Sequence, residues 1–282
     1  MKDISKLVSV IIPTKNSGEF LEACLQSIKN QTYRNIEVIV NDDVSTSDNT
    51  KEVVEQYGKE GLNVRYVQEN RSMAQGRKVG AEHATGEIIL HLDSDMVLDG
   101  GVVEDVVDQI NAGFDALVIP EESFGIGFWA KCKWLEKKCY EEVEQIESLR
   151  SLKTSVYKAV GGHNPDLVFS EDKDLDIRVR DGGYKVGRIR SYIRHNEGHP
   201  SLLKILKKKM GYAPTANKFA ELHPRAFAWQ VNVLNRYWIY LIRIKYLLLY
   251  PHLYIGMFFM KTLEFFCGGL GLFNVILRNR RT

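Results

Sequence analysis

The sequence predicts an α/β chain: a Rossmann-like, mixed and mainly parallel sheet flanked by helices, followed by a C-terminal helical segment of different character. Three observations carry this expectation. Over the first hundred residues, short apolar β-branched runs alternate with amphipathic stretches at helical spacing, the pattern of βαβ units. Turn and acidic residues collect after those runs, at Pro13, Asp42/Asp43 and Asp93/Asp95, and open parallel sheets bind ligands at the carboxyl ends of their strands. Residues 200–282 hold 13 Lys/Arg against 2 Asp/Glu, a charge of +11, whereas residues 1–199 carry −9 of the chain's net +2.

The elements follow in order. "VSVIIP" (8–13) reads as a buried strand and "GEFLEACLQSIKNQ" as a helix, with Leu21, Cys24, Leu25 and Ile28 on one face. "IEVIVNDD" (36–43) is a second strand, "TSDNTKEVVEQYG" a helix stopped by Gly58, and "NVRYVQ" a third strand. "MAQGRKVGAEHATG" is a helix ending at Gly86, and "EIILHL" (87–92) a fourth strand. Beyond Gly100 the pattern loosens. "FDALVIP" predicts a strand, "FWAKCKWLEKKCYEEVEQIES" a long amphipathic helix, and residues 153–157 a short strand. A helix beginning at Ser170 is stopped by Gly182-Gly183. On it, Asp174 and Asp176 are expected to form a solvated face.

Composition bounds the class. With 282 residues, 44% apolar and 26% charged, the chain is globular and long enough for one large domain or a domain with an appendage. Cys24, Cys132, Cys139 and Cys267 have neither metal-like spacing nor a disulfide framework, so they are expected to be reduced thiols in the cytosol. The beginning "MKDISKLVSVIIPTKN" lacks a long apolar leader, so a catalytic part, if there is one, is again expected in the cytoplasm.

Asp93 and Asp95 follow a buried run, where a ligand should sit, although Asp-x-Asp occurs three times in this chain and the spacing alone proves little. The order of motifs is more specific. "VSVIIPTKN", "EVIVNDDVSTSDNT", "GRKVGAEHATGEIILHLDSD" and "GGHNPDLVFSEDKDLDIRVRDGGYKV" together resemble family 2 of the inverting nucleotide-sugar glycosyltransferases, which have the GT-A fold. The resemblance covers about residues 8–197. It departs from the family pattern at Val44, where a glycine is usual, at an apparent insertion of Ser47, and at Gly76-Arg77-Lys78, where Ala-Arg-Asn is usual.

The resemblance implies a transferase domain over residues 1–199, with a nucleotide-binding half at about 1–99 and an acceptor half at about 100–199. It also implies a nucleotide-sugar donor, with UDP favoured over GDP. Breaking the sugar–phosphate bond leaves charge on the diphosphate, which a hard cation of the Mg²⁺ or Mn²⁺ type neutralises. Asp95 is the expected metal ligand, with Asp93 at the ribose or the metal. By the same resemblance Asp43 accepts from the nucleobase, Pro13 and Lys15 line its pocket, Arg77 contacts base or diphosphate, and His195 reaches the metal. Inversion requires a base opposite the leaving group; Asp172 is the candidate, oriented by Glu171. Two other readings compete: a catalytically silent sugar-nucleotide-binding protein of the same fold, and a haloacid-dehalogenase-like phosphatase using Asp93.

Residues 200–282 form a basic, apolar helical tail. "SLLKILKKKMGY" interleaves leucines with lysines, and between 246 and 277 only Lys261 and Glu264 are charged, at an i,i+3 spacing suited to pairing. The uncharged runs 246–260 and 265–277 are each shorter than the roughly 20 residues of a spanning helix. A hairpin or two interfacial helices at the cytoplasmic face of the cell membrane are therefore expected, with Arg278, Arg280 and Arg281 on that side. The partners implied are a nucleotide sugar, a glycan or lipid-linked acceptor and a membrane surface, and no nucleic acid.

Overall fold

A computed structural model describes residues 6–70, 72–212 and 216–279. The chain divides into two compact units, the first of Met1–Glu121, Ser148–Asp166 and Glu171–His195, the second of Glu122–Glu147, Leu167–Ser170 and Asn196–Thr282.

The first unit opens with the predicted alternation: β1 (Val8–Thr14), α1 (Gly18–Lys29), β2 (Ile36–Asp43), α2 (Thr50–Lys59), β3 (Val64–Asn70), α3 (Met73–Glu82) and β4 (Ile88–His91). β1, β2 and β4 are buried along their whole lengths, as parallel strands covered on both faces must be. β1 pairs in parallel with both β2 and β4, and Thr14 at its end stands opposite Asp42. The carboxyl ends of these strands therefore form a common edge.

The chain continues through β5 (Met96–Leu98), α4 (Val102–Asn111), β6 (Ala116–Val118), β7 (Glu121–Phe124) and α5 (Phe128–Tyr140). Then come β8 (Leu149–Lys153), α6 (Thr154–Ala159), α7 (Glu171–Asp181), β9 (Val186–Arg188) and β10 (Ile193–Asn196). Among the described residues the large sheet has seven strands in the order β3-β2-β1-β4-β8-β6-β9. β8 runs antiparallel to both β4 and β6, which makes the sheet mixed. Ser151 of β8 pairs with Leu90 of β4, so Arg150 arrives beside the exit of β4. In a separate antiparallel pair, His195 of β10 stands opposite Met96 of β5. Strand periodicity sorts the core into two layers. Val10, Ile12, Val38, Val40 and Leu90 pack with α1, α2 and α4 on one face, while Ile11, Ile39 and Ile89 pack with α6 and α7 on the other.

Two expectations are corrected here. The strand at 153–157 is helix α6, whose Val156 and Tyr157 are buried while Thr154 donates to the Gly86 carbonyl at 2.6 Å; β-branched residues there mimic a strand in sequence. Asp174 and Asp176 are not a solvated face. They are 2% and 0% exposed, held by Arg178, Lys173 and Arg180 from the same helix, because α7 packs with its charged pairs inward.

The second unit contains α5 together with α8 (Leu202–Tyr212), α9 (Ala216–Leu222), α10 (Pro224–Val231), α11 (Val233–Ile242), α12 (Lys245–Leu249) and α13 (Pro251–Asn279). Its core joins Cys132, Leu135 and Cys139 of α5 to Tyr240 of α11 and Leu253, Met257 and Met260 of α13. The expected hairpin or pair of helices over 246–277 is a single helix from Pro251 onward. Lys261 and Glu264, which interrupt the apolar run, are buried: Lys261 meets Glu264 at 2.6 Å and Glu136 of α5 at 2.8 Å. Paired charges facing inward leave the helix continuous. Arg280 and Arg281 lie outside the described residues.

Gly256 is where α13 comes closest to α5. A Cβ there would strike the Phe128 ring and lie 2.9 Å from the Cys132 sulfur. Gly256→Val should destabilise this unit by about 1–3 kcal/mol, the usual cost of overpacking. A thermal or urea midpoint equal to that of the parent protein would show that this contact is not tight.

Candidate active site

The site is built at the carboxyl edge of the sheet in the first unit. At the ends of β1 and β2, Thr14 and Thr46 donate to Asp42 Oδ1 at 2.8 and 2.7 Å, and the Tyr66 hydroxyl donates to Oδ2 at 2.8 Å. Asp42 thereby fixes the loop that presents Asp43. Asp43 Oδ1 accepts from the Ser45 hydroxyl and amide at 2.5 and 2.8 Å, and Lys15 Nζ stands 3.5 Å away. The Ser45 bonds, joined by the charge of Lys15, hold the Asp43 carboxyl below its ordinary range. Pro13 lies within β1, one residue before Thr14.

At the exit of β4 the chain turns sharply into β5, with the Met96 amide donating to the Asp93 carbonyl at 3.0 Å. Asp93 and Asp95 share this turn but have different surroundings. Asp93 faces two guanidinium groups: Arg77 Nη2 reaches Oδ1 at 2.5 Å, and Arg150 Nη1 lies 3.5 Å from Oδ2. Asp95 is 38% exposed, and its Oδ2 lies 3.2 Å from His195 Nε2. The β5–β10 register brings that histidine to the turn.

Arg77, only 3% exposed, extends from α3 into a cluster of carboxylates. Its Nη1 meets Glu171 Oε1 at 2.6 Å, and its Nε lies 3.5 Å from Asp172 Oδ1. Arg150 binds Glu121 at 2.7 Å and Asp172 Oδ2 at 3.2 Å. His163 Nε2 completes the ring around Asp172, 3.2 Å from Oδ1. The fold thus gathers Arg77, Asp93, Glu171 and Asp172 into one network, sets Asp95 beside His195, and pairs Asp43 with Lys15.

Adjacent carboxylates on α7 titrate in opposite directions. Burial by itself would raise Asp172, but Arg77, Arg150 and His163 hold it well below the usual carboxylate range. Burial and the neighbouring Asp172 charge push Glu171 up to about 6, against the pull of Arg77. Two arginines face four carboxylates, and Glu171 is where the excess negative charge retains a proton.

Sequence reading missed Arg150, His163 and Glu121. "SLRSLK" looks like an ordinary strand, and only the antiparallel insertion of β8 between β4 and β6 reveals that its arginine is internal. In "GGH", nothing local points the histidine toward Asp172.

The residues suit a divalent cation of the hard type. An octahedral ion with bonds of about 2.1 Å sets neighbouring donors about 3 Å apart, close to the Asp95–His195 separation of 3.2 Å. Among the described residues no group of three or more His, Cys, Asp or Glu forms a complete protein cage, so phosphate and water oxygens would supply the remaining positions.

A sheet of this order with paired aspartates at its carboxyl edge defines an α/β fold with a candidate ligand site. The family model for Glycosyl transferase family 2 matches residues 9–161, more than half of the chain, and the protein belongs to that family of glycosyltransferases. Glycosyltransferase GlyG of Streptococcus pneumoniae is 38% identical over 109 residues, 38% of this chain and 36% of that relative. The GalNAc(5)-diNAcBac-PP-undecaprenol beta-1,3-glucosyltransferase of Campylobacter jejuni is 35% identical over 111 residues, 38% and 35% of the two chains. The matched stretch thus spans about a third of each relative's length. Among solved structures, the mannosyltransferase PcManGT of Pyrobaculum calidifontis, in complex with GDP-Man and Mn²⁺, superposes with a TM-score of 0.67 at 16% identity, covering 97% of this chain and 89% of that one. S. aureus TarS 1-349 in complex with UDP-GlcNAc gives 0.58 at 17% identity, covering 94% and 90%. These likenesses bear out the GT-A fold.

The opposed titrations are measurable. Carboxyl carbon NMR should show Glu171 titrating near pH 6 and Asp172 remaining ionised throughout the range above 4. Asp172→Asn removes the adjacent negative charge, so the Glu171 midpoint should move down. A Glu171 midpoint at an ordinary carboxylate value in the parent protein would contradict this charge distribution.

Proposed function

We propose that the protein is an inverting glycosyltransferase that moves a sugar from a nucleotide-diphosphate donor, a UDP-sugar in the favoured case, to a hydroxyl or lipid-linked acceptor. The observation that carries this reading is the ring of buried cations joining Asp93, at the exit of β4, to Asp172, at the start of α7. In this proposal Pro13, Lys15 and Asp43 hold the nucleobase, with Asp43 accepting through Oδ2, the oxygen not used by Ser45. Asp93 faces the ribose. Arg77, buried among carboxylates, holds Asp93, Glu171 and Asp172 in place rather than touching the donor. Solved relatives in complex with UDP-GlcNAc and with GDP-Man and Mn²⁺ support a nucleotide-sugar donor and a divalent cation.

Asp95 and His195 would hold Mn²⁺ or Mg²⁺, and the cation would neutralise charge on the departing diphosphate. Asp172 takes the proton of the acceptor hydroxyl as its oxygen bonds to the anomeric carbon on the face opposite the leaving group. The bond from that carbon to the diphosphate breaks, and the nucleoside diphosphate departs. Glu171 keeps its neighbour oriented through Arg77. A low pKa makes Asp172 a modest base in solution terms, and placement against the acceptor compensates.

Asp95→Ala should abolish transfer and metal-dependent nucleotide binding while preserving the thermal midpoint. Asp172→Asn should retain donor affinity and lower turnover by about 10²-fold or more. Full activity of Asp95→Ala, or of the parent protein in chelator, would defeat the metal reading. Full activity of Asp172→Asn would defeat the base assignment and favour an acceptor already ionised, such as a lipid phosphate.

The functional division proposed is a transferase part over residues 1–199, with donor and acceptor halves at 1–99 and 100–199, and a membrane-directed tail over 200–282. Residues Pro251–Gly271 of α13 are long and apolar enough to cross a bilayer. One side of this helix is nevertheless buried in its own unit, including the Lys261–Glu264 pair, while Ile255, Phe259, Phe266 and Leu270 are exposed. A one-sided helix in a segment of charge +11 suits the surface of an anionic leaflet, here taken as the cytoplasmic face of the cell membrane. The Campylobacter relative, whose name carries an undecaprenol-linked substrate, supports a lipid-linked acceptor. The full chain should sediment with phosphatidylglycerol vesicles and less so in high salt, and Phe259→Glu/Phe266→Glu should weaken that binding. Parent protein remaining in the supernatant would overturn the membrane reading.

A further inference from the structure

Behind Asp172, on the side away from Arg150, lies a buried assembly that the proposed reaction does not use. His163 is 1% exposed and follows Gly161 and Gly162, both with positive φ (83° and 68°). A Cβ at Gly162 would lie 2.7 Å from the Tyr157 ring, so the second glycine allows the chain to fold directly onto that ring. Arg178 clamps the turn from α7, donating to the carbonyls of Val160 and Gly162 at 2.5 and 2.7 Å. The result places His163 between two partners. Its Nε2 lies 3.2 Å from Asp172 Oδ1, and its Nδ1 lies 3.2 Å from the Tyr157 hydroxyl.

The hydrogen positions follow from chemistry. An ionised carboxylate has no proton to give, so Nε2 must be the donor to Asp172. In a neutral imidazole Nδ1 is then an acceptor, and the Tyr157 hydroxyl donates to it. The tyrosine oxygen in turn accepts the His163 amide at 3.1 Å. The ring is neutral: burial, with Arg77 and Arg178 nearby, outweighs the attraction of Asp172. His91, packed edge-on at 4.5 Å between ring centroids, is buried and neutral for the same reason.

We propose that His163 is a positioning residue for Asp172, locked in its Nε2–H form by Tyr157, and that it fixes the plane of the carboxylate facing the acceptor. The proposal rests on the reading of Asp172 as the base. His163 pins Oδ1 while Arg150 approaches Oδ2 from the other side, so the carboxyl cannot rotate about its last bond. The proton taken from the acceptor does not pass to His163, because its Nε2 already carries a hydrogen and an imidazolium beside Arg77 and Arg178 is unfavourable. Tyr157 acts through the histidine: without its hydroxyl the ring can adopt the Nδ1–H form and turn a lone pair toward the carboxylate.

The test combines turnover, binding and ¹⁵N NMR on the full chain with its best donor, and thermal midpoints establish folding. In the parent protein the His163 nitrogens should report a neutral Nε2–H ring, and Tyr157→Phe should raise the Nδ1–H fraction. His163→Phe should lower kcat by about 10- to 100-fold, the usual weight of a supporting hydrogen bond, with donor Kd unchanged. His163→Gln, which restores an N–H donor, should recover most of that loss. Combined with Asp172→Asn, His163→Phe should add nothing, since the histidine acts only through the carboxylate. Parent-level kcat in His163→Phe alongside a slow Asp172→Asn would overturn this proposal and leave the base reading standing. Losses that multiply in the double variant would also overturn it, and so would an Nδ1–H ring in the parent protein, a measurement that holds even if His163→Phe fails to fold. A fully active Asp172→Asn would remove the base reading and this proposal together.

Discussion

The site depends on two arginines buried among carboxylates. Arg77 and Arg150 approach from different elements, α3 and β8, and between them touch Asp93, Glu121, Glu171 and Asp172. Burying so many charges is unfavourable unless each is paired, and removing one partner of such a set commonly costs about 3–5 kcal/mol because the others remain in place. The arrangement is therefore poor value as a source of stability. Its effect is to hold the exit of β4 and the first turn of α7 in fixed relation, the two places where the proposed reaction puts its donor-side and acceptor-side carboxylates.

The same network sets the charge of the site. Four carboxylates against two guanidinium groups leave negative charge in excess, and the protein relieves it unevenly. Asp172, touched by both arginines and by His163, stays ionised, while Glu171 retains a proton up to about pH 6. Asp95 lies beside His195, with a side chain 38% exposed. Three aspartates close in sequence or space thus have different neighbours: Asp93 faces two guanidinium groups, Asp95 lies beside His195, and Asp172 is fixed and ionised.

The fold was legible up to β4 because each strand there is local, apolar and closed by its own turn signals. Asp93, Asp95 and Asp172 could be singled out because their motifs lie in contiguous sequence. Arg150, His163 and Glu121 could not: Arg150 lies on an antiparallel strand inserted between β4 and β6, His163 and Glu121 meet their partners only through the tertiary fold, and no local pattern encodes those contacts. Asp174 and Asp176 misled for a related reason: a charged helix face looks solvated until its intrahelical pairs are seen turned inward. In the tail, Lys261 and Glu264 suggested a break where a buried pair leaves one continuous helix.

In the proposed function this edge transfers a sugar with inversion. The most direct measurement incubates the full chain with Mn²⁺, a panel of nucleotide sugars and candidate hydroxyl and lipid-linked acceptors, and follows both released nucleotide and the anomeric configuration of the product. One donor should release its nucleoside diphosphate in step with acceptor glycosylation, and an α-linked donor should yield a β-linked product. A product that retains the donor's configuration would contradict it.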